Sequence, residues 1–542
     1  MVMIRMNEKF ARERFGKDFV TYLEKFSSVI GFSHSSEGGE LREELNPDRP
    51  DLASYYGLYT AINRFYHGIE RHEKITWDSS RILMAEPSAL EKRPFIVFFQ
   101  AYNVEKSLGE DLQFLIEFQE RLHATVGKDR KKASIGLHDL ESISPPFRYI
   151  TKDANSIEFT TYDGLKGTAA QILNLHPKGT EYAGLLGDTK EVPVIIDSSD
   201  DVLSLPPVVN GQKSVISTKT RNIFVDITGT EFQAVRNTFY LMIYELMSMG
   251  YNINVPEQQI QSSLLSKLKS YDGRTVDVSS SEIKRVVGKT IQDPHLYLRK
   301  MGFDADLAGS DLIVRSPGNR IDVMGPSDII EDVAKAYGFD NIDENPLNIQ
   351  TIGSELDTTG FKELVRDVMI GLGYQEIMTY VITSSSVYKR FTYRGGIELV
   401  NPKSAENSVV RDRIFPNFIE FFRNNKRRQY PQRIFEIGNV IRDRDQKTVL
   451  SVGVADSRVS VNVMRQVMEV LGRRFLTSEF TVREENVEGF ISGRCGAVYY
   501  HGIRIGELGE MHPGYLEDWD VNMPVAFLEL DLGLVFSTRT PI

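Results

Sequence analysis

Residues 320–342 constrain the fold of this chain more than any other stretch, because they predict one short helix with a crowded first turn. Pro326 and Ser327 are typical of a helix start, with Ser327 as the expected N-cap, and Gly338 is typical of a helix end. The apolar residues between them recur at helical spacing and predict a buried stripe: Ile329, Ile330, Val333, Ala336 and Tyr337.

Acidic side chains gather at the start of this helix. Asp328, Glu331 and Asp332 lie three or four residues apart, and Asp322 precedes them on an extended Arg-Ile-Asp-Val segment. Two interpretations remain open. Carboxylates are favoured in a first turn because they complement the helix dipole. Four converging carboxylates also suit a hard cation such as Mg²⁺, which takes oxygen ligands.

Length and composition describe a folded protein of several domains. The chain has 542 residues, of which 41% are hydrophobic and 26% charged. No apolar run approaches the roughly 20 residues that span a bilayer, and the amino terminus has no signal-peptide core. We therefore expect a cytoplasmic protein with no membrane partner. A single cysteine, Cys495, excludes an intramolecular disulfide and any multi-cysteine zinc site.

The net charge of −11 argues against a protein that is mainly a nucleic-acid clamp. Two local basic stretches occur nevertheless: Arg121, Lys128, Arg130, Lys131 and Lys132 in one, and Lys426, Arg427, Arg428 and Arg433 in the other. Each stretch is either a solvated face or a track for phosphates, and we favour the solvated face.

Four regions follow one another along the chain, and we expect an α+β multidomain fold. Their bounds are 1–80, 81–265, 266–345 and 346–542. In the first, 55–68 predicts a helix; in the second, 94–102 predicts a buried strand and 108–126 an amphipathic helix. In the third, Ser280 or Ser281 is expected to cap a helix that ends at Gly288. The fourth predicts an antiparallel sheet with flanking helices.

The segment 222–230 predicts a strand with two different faces. Its apolar residues alternate inward: Ile223, Val225 and Ile227. Asp226 and Thr228 therefore share the opposite face. Gly229 follows, where we expect the strand to end and a substrate backbone to approach.

The run 320–342 resembles the signature of the phenylalanyl-tRNA synthetase beta-subunit family, in its archaeal and eukaryotic-like form. Other segments resemble the same family in the family's order: 46–52, 135–140, 192–197, 202–211, 222–230, 361–377, 401–404 with Arg411, 433–438, 493–498, 505–513 and 527–531. Together they extend over roughly 45–542. Four of these segments lie in the second region. Because all four agree with the family in the same order, together they carry more weight than any single motif.

The resemblance implies a fold and an activity. The second region would be a mixed α/β editing domain that hydrolyses mischarged tyrosyl-tRNA(Phe), and the third a small winged-helix-like module. The fourth would be a class II synthetase-like domain without catalytic activity. No ATP-binding motif of an active class II synthetase, Walker A loop or dinucleotide fingerprint is present. By resemblance, an alpha subunit binds ATP and phenylalanine and charges tRNA(Phe), in a heterotetramer of two alpha and two beta chains.

An editing domain has a physical purpose, because an apolar pocket cannot strongly reject an isostere that merely adds a hydroxyl. Cleaving an aminoacyl ester needs an oriented water and donors for the developing oxyanion. The polar candidates are Asp226, Thr228, His138 and Asn210, and Leu205 is the candidate that shapes the side-chain pocket. The alternatives stay open: His138 and Asp139 as a structural pair, and Asp226 and Thr228 as ordinary strand residues.

The resemblance also implies that Asp322, Asp328, Glu331 and Asp332 hold Mg²⁺ near the contact with the alpha subunit. Two other functions compete with a ligase subunit. One is a free-standing aminoacyl-tRNA deacylase or tRNA-binding protein, which has no evident need for the large fourth region. The other is a DNA-binding regulator built on the third region, which the acidic charge balance disfavours.

Overall fold

The computed structural model describes residues 2–69, 75–103, 106–258, 262–269, 273–309, 311–344, 346, 351–389, 396–475 and 480–538. The chain forms two compact units, 1–347 and 348–542. It is a mixed α/β multidomain protein with several separate sheets, as the sequence predicts. The finer division into four regions stays a prediction.

The first unit begins with a small three-stranded antiparallel sheet of strand order β1-β3-β2, covered by helices. Its elements are β1 (Val2–Asn7), α1 (Glu8–Phe15), α2 (Phe19–Ile30), β2 (Ser33–Glu37), β3 (Glu40–Leu45) and α3 (Tyr55–His67). The helix α3 begins at the N-cap Ser54, whose hydroxyl accepts from Gly57 N, and ends before Gly68 in the left-handed conformation. The predicted helix over 55–68 is therefore confirmed.

A nine-stranded sheet and its helices follow. They are β4 (Ile75–Ala85), α4 (Pro87–Lys92), β5 (Phe95–Tyr102), α5 (Asp111–Ala124), β6 (Ala133–Asp139), β7 (Phe147–Asp153), β8 (Glu158–Thr160), β9 (Lys166–Thr168), α6 (Ala169–Leu175), α7 (Pro177–Tyr182), β10 (Glu191–Ile196), β11 (Val202–Leu205), β12 (Val209–Asn210), β13 (Ile223–Gly229), α8 (Phe232–Ser248) and β14 (Asn252–Gln258). Strands β8 and β9 form a separate hairpin.

The strand order of the large sheet is β12-β11-β10-β7-β4-β14-β5-β13-β6. Only β4 pairs in parallel, with β14 and with β7. The predicted strand over 94–102 is confirmed as β5, and the predicted helix over 108–126 is the shorter α5. The inward residues of β13 pack into a core with α5 and α8, as their alternation predicts. Its other face is buried as well, so neither face is an ordinary solvated surface.

The first unit ends with α9 (Ser262–Lys269), β15 (Thr275–Ser279), α10 (Ser280–Val287), α11 (Pro294–Lys300), β16 (Asp304–Ala308), β17 (Asp311–Arg315) and α12 (Pro326–Tyr337). Strands β15, β17 and β16 form an antiparallel sheet in that order.

Two predicted N-caps in this part of the chain are wrong by one or two residues. Ser279 caps α10 by accepting from Glu282 N at 3.1 Å, one residue before the predicted Ser280. Gly325 occupies the N-cap position of α12, so Ser327 lies inside the first turn. The reason is Pro326, whose fixed φ suits the first helical position. The predicted end at Gly338 is confirmed.

The second unit contains the elements that follow residue 348. They are α13 (Asp357–Gly371), β18 (Gln375–Glu376), β19 (Ile382–Thr383), α14 (Ser385–Lys389), β20 (Ile397–Glu398), β21 (Val409–Val410), α15 (Phe415–Asn424), β22 (Gln432–Arg442), β23 (Asp445–Ala455), α16 (Val461–Phe475), β24 (Thr481–Glu484), β25 (Phe490–Tyr500), β26 (Ile503–Met511), α17 (Pro513–Asp518), β27 (Val525–Asp531) and α18 (Leu532–Thr538).

Seven of these strands form one sheet in the order β18-β22-β23-β27-β26-β25-β24. All pairs are antiparallel except β18 with β22. Helices α13, α16 and α18 bury apolar side chains against one face, and α15 and α17 do so against the other. Strands β19, β21 and β20 form a second, three-stranded sheet. Among the residues described in either unit, no helix is both long and apolar enough to cross a membrane.

Candidate active site

A cavity of about 470 Å³ lies where the two ends of the nine-stranded sheet meet. Its walls come from the edge strand β6, from the connection between β11 and β12 at the opposite edge, and from α5 and α7. Asn210 Nδ2 donates to Leu137 O at 3.3 Å, and Arg130 Nη1 donates to Val208 O at 3.0 Å. Side chains therefore bridge two edges that are not paired as strands, and the cavity occupies the gap between them.

A left-handed turn directs Arg130 into this cavity. Lys128, Asp129 and Arg130 have φ values of 50°, 52° and 63°, a region that residues other than glycine rarely adopt. Lys132 N donates to Gly127 O at 2.8 Å across the turn. Arg130 is 5% exposed, so the interpretation of this residue as part of a solvated basic face is wrong. Strain of this kind is often found at functional sites.

Asp226 is one of the carboxylates in the cavity wall, and a buried chain of hydrogen bonds fixes it. Its Oδ2 atom is 2.7 Å from His138 Nε2, and His138 Nδ1 is 2.7 Å from Ser214 Oγ. An ionised carboxylate only accepts, so Nε2 donates to Asp226. His138 Nδ1 and the Ser214 hydroxyl form the second hydrogen bond of the chain. His138 thus binds one carboxylate oxygen of a residue that lines the cavity.

Gly136 makes room for this pair. It lies opposite Asp226 in the register of β6 with β13. A Cβ atom at residue 136 would be 2.0 Å from Asp226 Oδ2 and 2.7 Å from His138 Nε2. No side chain larger than hydrogen can therefore stand at this position without displacing the carboxylate.

Thr228 does not line the cavity but contacts a residue that does. Its hydroxyl lies 2.9 Å from Ser134 Oγ and accepts from Arg93 Nε at 2.9 Å. Arg93 is 2% exposed and also donates to the carbonyl oxygens of Thr228 and Arg130. Burial lowers the pKa of Arg93 to about 10, so it remains charged at neutral pH. This buried cation thus joins β13 to the left-handed turn.

Opposite charges balance one another on the other side of the cavity. Arg130 Nη2 is 2.9 Å from Glu120 Oε1, and Lys178 Nζ is 3.7 Å from the same oxygen. Burial acts to raise the pKa of Glu120, but contact with His123 and the charge of Arg130 outweigh it and bring the pKa to about 2. Burial and the nearby Arg130 lower the pKa of Lys178. These charges position the wall opposite Asp226.

The structure brings three of the five predicted editing residues to the cavity wall: Leu205, Asn210 and Asp226. His138 and Thr228 are fully buried directly behind the wall. The alternative pairing of His138 with Asp139 is wrong, because His138 contacts Asp226 while Asp139 accepts from the Thr220 hydroxyl at 2.7 Å. Gly229 ends β13, but its expected role is wrong: a Cβ there would meet Lys132 O and Val235 at 2.3 Å, so it serves packing.

Several residues of the site were not predicted. They are Arg93, Arg130, Ser134, Gly136 and Ser214. Gly136 lies inside the strand β6, where a glycine marks a close approach of other atoms, but no strand was predicted there. Arg93 and Ser214 carry no pattern that distinguishes them from ordinary polar residues.

The acidic cluster of the first unit is organised by Arg320, which is 4% exposed. Its guanidinium contacts Asp322 Oδ2 at 2.7 Å and Asp332 Oδ2 at 2.5 Å. Asp328 Oδ2 accepts from Met324 N and Gly325 N at 2.6 and 2.8 Å, so it closes the start of α12. Glu331 pairs with Lys335 at 2.9 Å.

As placed, these carboxylates do not fit a bound cation. Within the described ranges, no group of three or more acidic, histidine or cysteine side chains is arranged to hold a metal ion. The physical reason is that Arg320 already neutralises Asp322 and Asp332, and that Asp328 and Glu331 have partners of their own.

Two family models match the chain. The model described as tRNA synthetase B5 domain matches residues 276–339, and the model described as phenylalanyl tRNA synthetase beta chain CLM domain matches residues 342–532. Together they cover the helix α12 with its acidic turn and almost all of the second unit. These matches define the chain as part of an aminoacyl-tRNA synthetase.

Curated relatives extend this likeness to the whole chain. A phenylalanine–tRNA ligase beta subunit from Thermoplasma volcanium is 38% identical over 98% of both chains. The one from Thermoplasma acidophilum is 37% identical over 99% of this chain and 98% of the relative. The one from Methanocaldococcus jannaschii is 33% identical over 92% of each chain. The chain belongs to the family of phenylalanine–tRNA ligase beta subunits.

A solved structure is similar in fold to part of this chain. It is an amino-terminal fragment of the phenylalanyl-tRNA synthetase beta subunit from Pyrococcus horikoshii, with a TM-score of 0.52 and 23% sequence identity. It covers 62% of this chain and 99% of the fragment. At this identity the likeness concerns the fold alone.

Proposed function

We propose that this chain is the beta subunit of a phenylalanine–tRNA ligase, which supports ATP-dependent charging of tRNA(Phe) by an alpha subunit in a heterotetramer of two alpha and two beta chains. The observation that carries the proposal is 38% identity to a named relative over 98% of both chains. A free-standing deacylase would not need the second unit, which the beta-chain family model matches. Because the partners of this activity are components of translation, we place the protein in the cytoplasm.

The second unit would then be the class II synthetase-like domain without catalytic activity. A cross-strand row runs over its sheet from β22 to β26: Glu436, Ser451, Glu529 and Glu507. Buried or half-buried arginines pair with the three carboxylates of this row: Arg411 with Glu436, Arg442 with Glu529 and Arg413 with Glu507. Because each of these three arginines is already paired with a carboxylate, none of the three is left to bind a triphosphate, which supports ATP binding by the alpha subunit instead.

The test compares the isolated chain with the complex. Purified alone, the chain should give no phenylalanine-dependent exchange of pyrophosphate into ATP. Co-expressed with its alpha subunit, it should form a species of the mass expected for two alpha and two beta chains and should charge tRNA(Phe). Exchange activity in the isolated chain would contradict the proposal.

We further propose that the 470 Å³ cavity hydrolyses tyrosyl-tRNA(Phe). Asp226 would accept a proton from a water molecule as the water oxygen bonds to the ester carbon. Asn210 and Ser134, both in the wall, would donate to the oxygen that becomes negative. The bond from the carbon to the ribose oxygen then breaks, and the ribose hydroxyl regains a proton. The products are free tyrosine and uncharged tRNA.

Leu205 would shape the place of the amino-acid side chain, together with the neighbouring proline and valine residues of the β11–β12 connection. Leu205→Trp should fill this space and leave Asp226 in place. In the presence of alpha subunit, tyrosine and ATP, the complex should then accumulate tyrosyl-tRNA(Phe). Leu175→Trp, at a residue that is exposed and outside the cavity, is the matched control. Equal accumulation by the two variants would contradict the assignment.

The family uses Mg²⁺, and we propose the first turn of α12 as its place in this chain, with Asp322, Asp328, Glu331 and Asp332 as the carboxylates. What supports this is the chemistry of the donors, all of them hard oxygens. Arg320 would have to release Asp322 and Asp332 first. Calorimetric titration with MgCl₂ tests the proposal: the Asp328→Asn, Asp332→Asn double variant should lose binding, whereas binding equal to that of wild type would contradict it.

We propose that the alpha subunit docks on an apolar face of the second unit. Ile382 and Ile397 both lie opposite Val410 in the three-stranded sheet, so the three form one cross-strand row. Close to them in sequence are Met378 and Val400, which are 94% and 93% exposed. Exposed apolar patches of this kind on a chain that works in an oligomer are typical of subunit contacts.

A further inference from the structure

We propose that Tyr162, backed by Lys178, is the stacking platform for the base of the nucleotide that carries the aminoacyl ester. This inference rests on the proposed hydrolysis of tyrosyl-tRNA and names one part of its substrate site. The amino acid is esterified to a ribose hydroxyl, so a cavity that accepts the amino acid needs a place at its mouth for the attached nucleoside.

The mouth of the cavity is marked by lining residues that are also exposed. Three large apolar side chains meet both conditions: Ile116, Tyr162 and Val215. Tyr162 is the aromatic one among them, and it is 41% exposed. An exposed aromatic ring at the edge of a substrate cavity offers a flat surface on which any base can stack.

The backbone of Tyr162 is fixed beside the proposed reaction centre. Its N–H donates to Asn210 O at 2.9 Å, and the preceding Thr161 forms a β-bridge with Gly211. The Thr161 hydroxyl in turn accepts from Leu165 N at 3.0 Å, which closes the β8–β9 turn. Because the main chain of Tyr162 is already fixed, only its side chain has to be ordered when a base binds.

Two basic side chains complete the platform. Lys178 Nζ lies 5.3 Å from the centroid of the Tyr162 ring, and the His176 ring meets it edge-on at 6.0 Å. His176 is held in place, since its Nδ1 accepts from the backbone N of Lys178 at 3.1 Å and its Nε2 lies 3.1 Å from Asp163. Lys178 Nζ lies 3.7 Å from Glu120 Oε1. Lys178 therefore places a positive charge where the phosphate of the terminal nucleotide would pass, next to a ring on which its base would stack.

Steady-state deacylation of tyrosyl-tRNA(Phe) by the reconstituted complex tests the platform. Tyr162→Ala should raise KM about tenfold, in line with the loss of one stacked base, and should change kcat less than twofold. Tyr162→Phe should restore the KM of wild type, because the ring and not the hydroxyl is used. Leu175→Ala, at an exposed apolar residue outside the cavity, is the control. An unchanged KM in Tyr162→Ala would overturn the proposal.

A non-hydrolysable probe separates stacking from other roles of the ring. L-Tyrosine joined by an amide to 3′-amino-3′-deoxyadenosine should bind the complex about tenfold more tightly than the same compound without its base. The difference should disappear in Tyr162→Ala. If it persists, the ring instead belongs to the side-chain pocket and the platform is refuted. A wild-type complex that leaves tyrosyl-tRNA intact would refute the hydrolytic function itself, which is a distinct result.

Discussion

At the scale of single residues, the position of Asp226 depends on groups that never touch the cavity. His138, which Ser214 holds in place, binds one carboxylate oxygen, and the missing side chain of Gly136 leaves space for that oxygen. A carboxylate whose position is fixed in this way is suited to orient a water molecule. The accuracy of this orientation matters, because small displacements of a reacting group slow a reaction strongly.

Gly136→Ala tests this dependence. The added Cβ would lie 2.0 Å from Asp226 Oδ2, so the carboxylate must move. We expect deacylation of tyrosyl-tRNA to fall by about two orders of magnitude, while phenylalanine charging stays within twofold of wild type. Gly184→Ala is the matched control, since its Cβ would meet no atom within 4 Å. Equal deacylation by the two variants would show that the position of Asp226 is not critical.

The sequence predicted single residues unevenly. Strand alternation placed Asp226 and Thr228 on one face because a period of two needs only local information. It could not tell that Asp226 reaches the cavity while Thr228 contacts Arg93, since that depends on which strand lies beside β13. The same limit applies to the acidic turn, where sequence spacing brings four carboxylates together but does not reveal that Arg320 binds two of them.

At the scale of elements, the junction of α3 and α8 contains a buried carboxyl. Ser54, the N-cap of α3, donates its hydroxyl to Glu245 Oε2 on α8 at 2.6 Å. Burial raises the pKa of Glu245 from 4.5 to about 7. The folded chain therefore binds this proton more tightly than the unfolded chain does. The stabilisation of the folded chain that comes from protonated Glu245 is fully present below about pH 4.5, and it is lost as the pH rises through about 7.

Glu245→Gln should remove this pH dependence, because a neutral amide replaces the carboxyl. When the pH is raised from 5 to 8, the free energy of unfolding of the variant should increase by about 2 kcal/mol relative to that of wild type. The melting temperature of the variant should therefore rise by roughly 3 °C relative to that of wild type. Thermal unfolding followed by circular dichroism at both pH values measures it. The exposed Glu24→Gln is the control. A melting difference that is the same at pH 5 and pH 8 would show that Glu245 is ionised throughout.

Elements were predicted better than their ends. The strand β13 and the helices α3 and α12 follow from apolar periodicity and from glycine at the helix end. The predicted helix starts were less accurate, because several neighbouring residues can each occupy the N-cap position and tertiary contacts select among them. The sequence could not predict that residues from both edges of the large sheet line one cavity, because this depends on the curvature of all nine strands.

At the scale of the whole molecule, the exposed apolar residues of the second unit indicate that the chain works in a complex. Met378 and Tyr380 are 94% and 85% exposed and precede the strand β19. The family assignment supplies an alpha subunit as a partner, and we propose that it docks on this surface. Resemblance distributed along the chain predicted this identity correctly, because several weak motifs in a fixed order are specific even where each one alone is not.

A double variant tests the proposed contact. Met378→Ser with Tyr380→Ser should weaken the association of alpha and beta chains at least tenfold, since both side chains would lose buried apolar area. Sedimentation velocity over a concentration series measures the association. Ile503→Ser changes another exposed apolar residue of the same unit and is the control. If the double variant assembles as well as Ile503→Ser does, the alpha subunit docks elsewhere.

We propose that the cavity between the two edges of the nine-stranded sheet hydrolyses mischarged tRNA with Asp226 as the proton acceptor. The most direct measurement is the single-turnover rate at which the reconstituted complex deacylates tyrosyl-tRNA(Phe), for wild type and for Asp226→Asn. Asparagine keeps the shape of the side chain and cannot accept the proton. We predict a rate at least about a hundredfold lower in the variant, with phenylalanine charging unchanged. Equal deacylation rates in the two proteins would contradict the account.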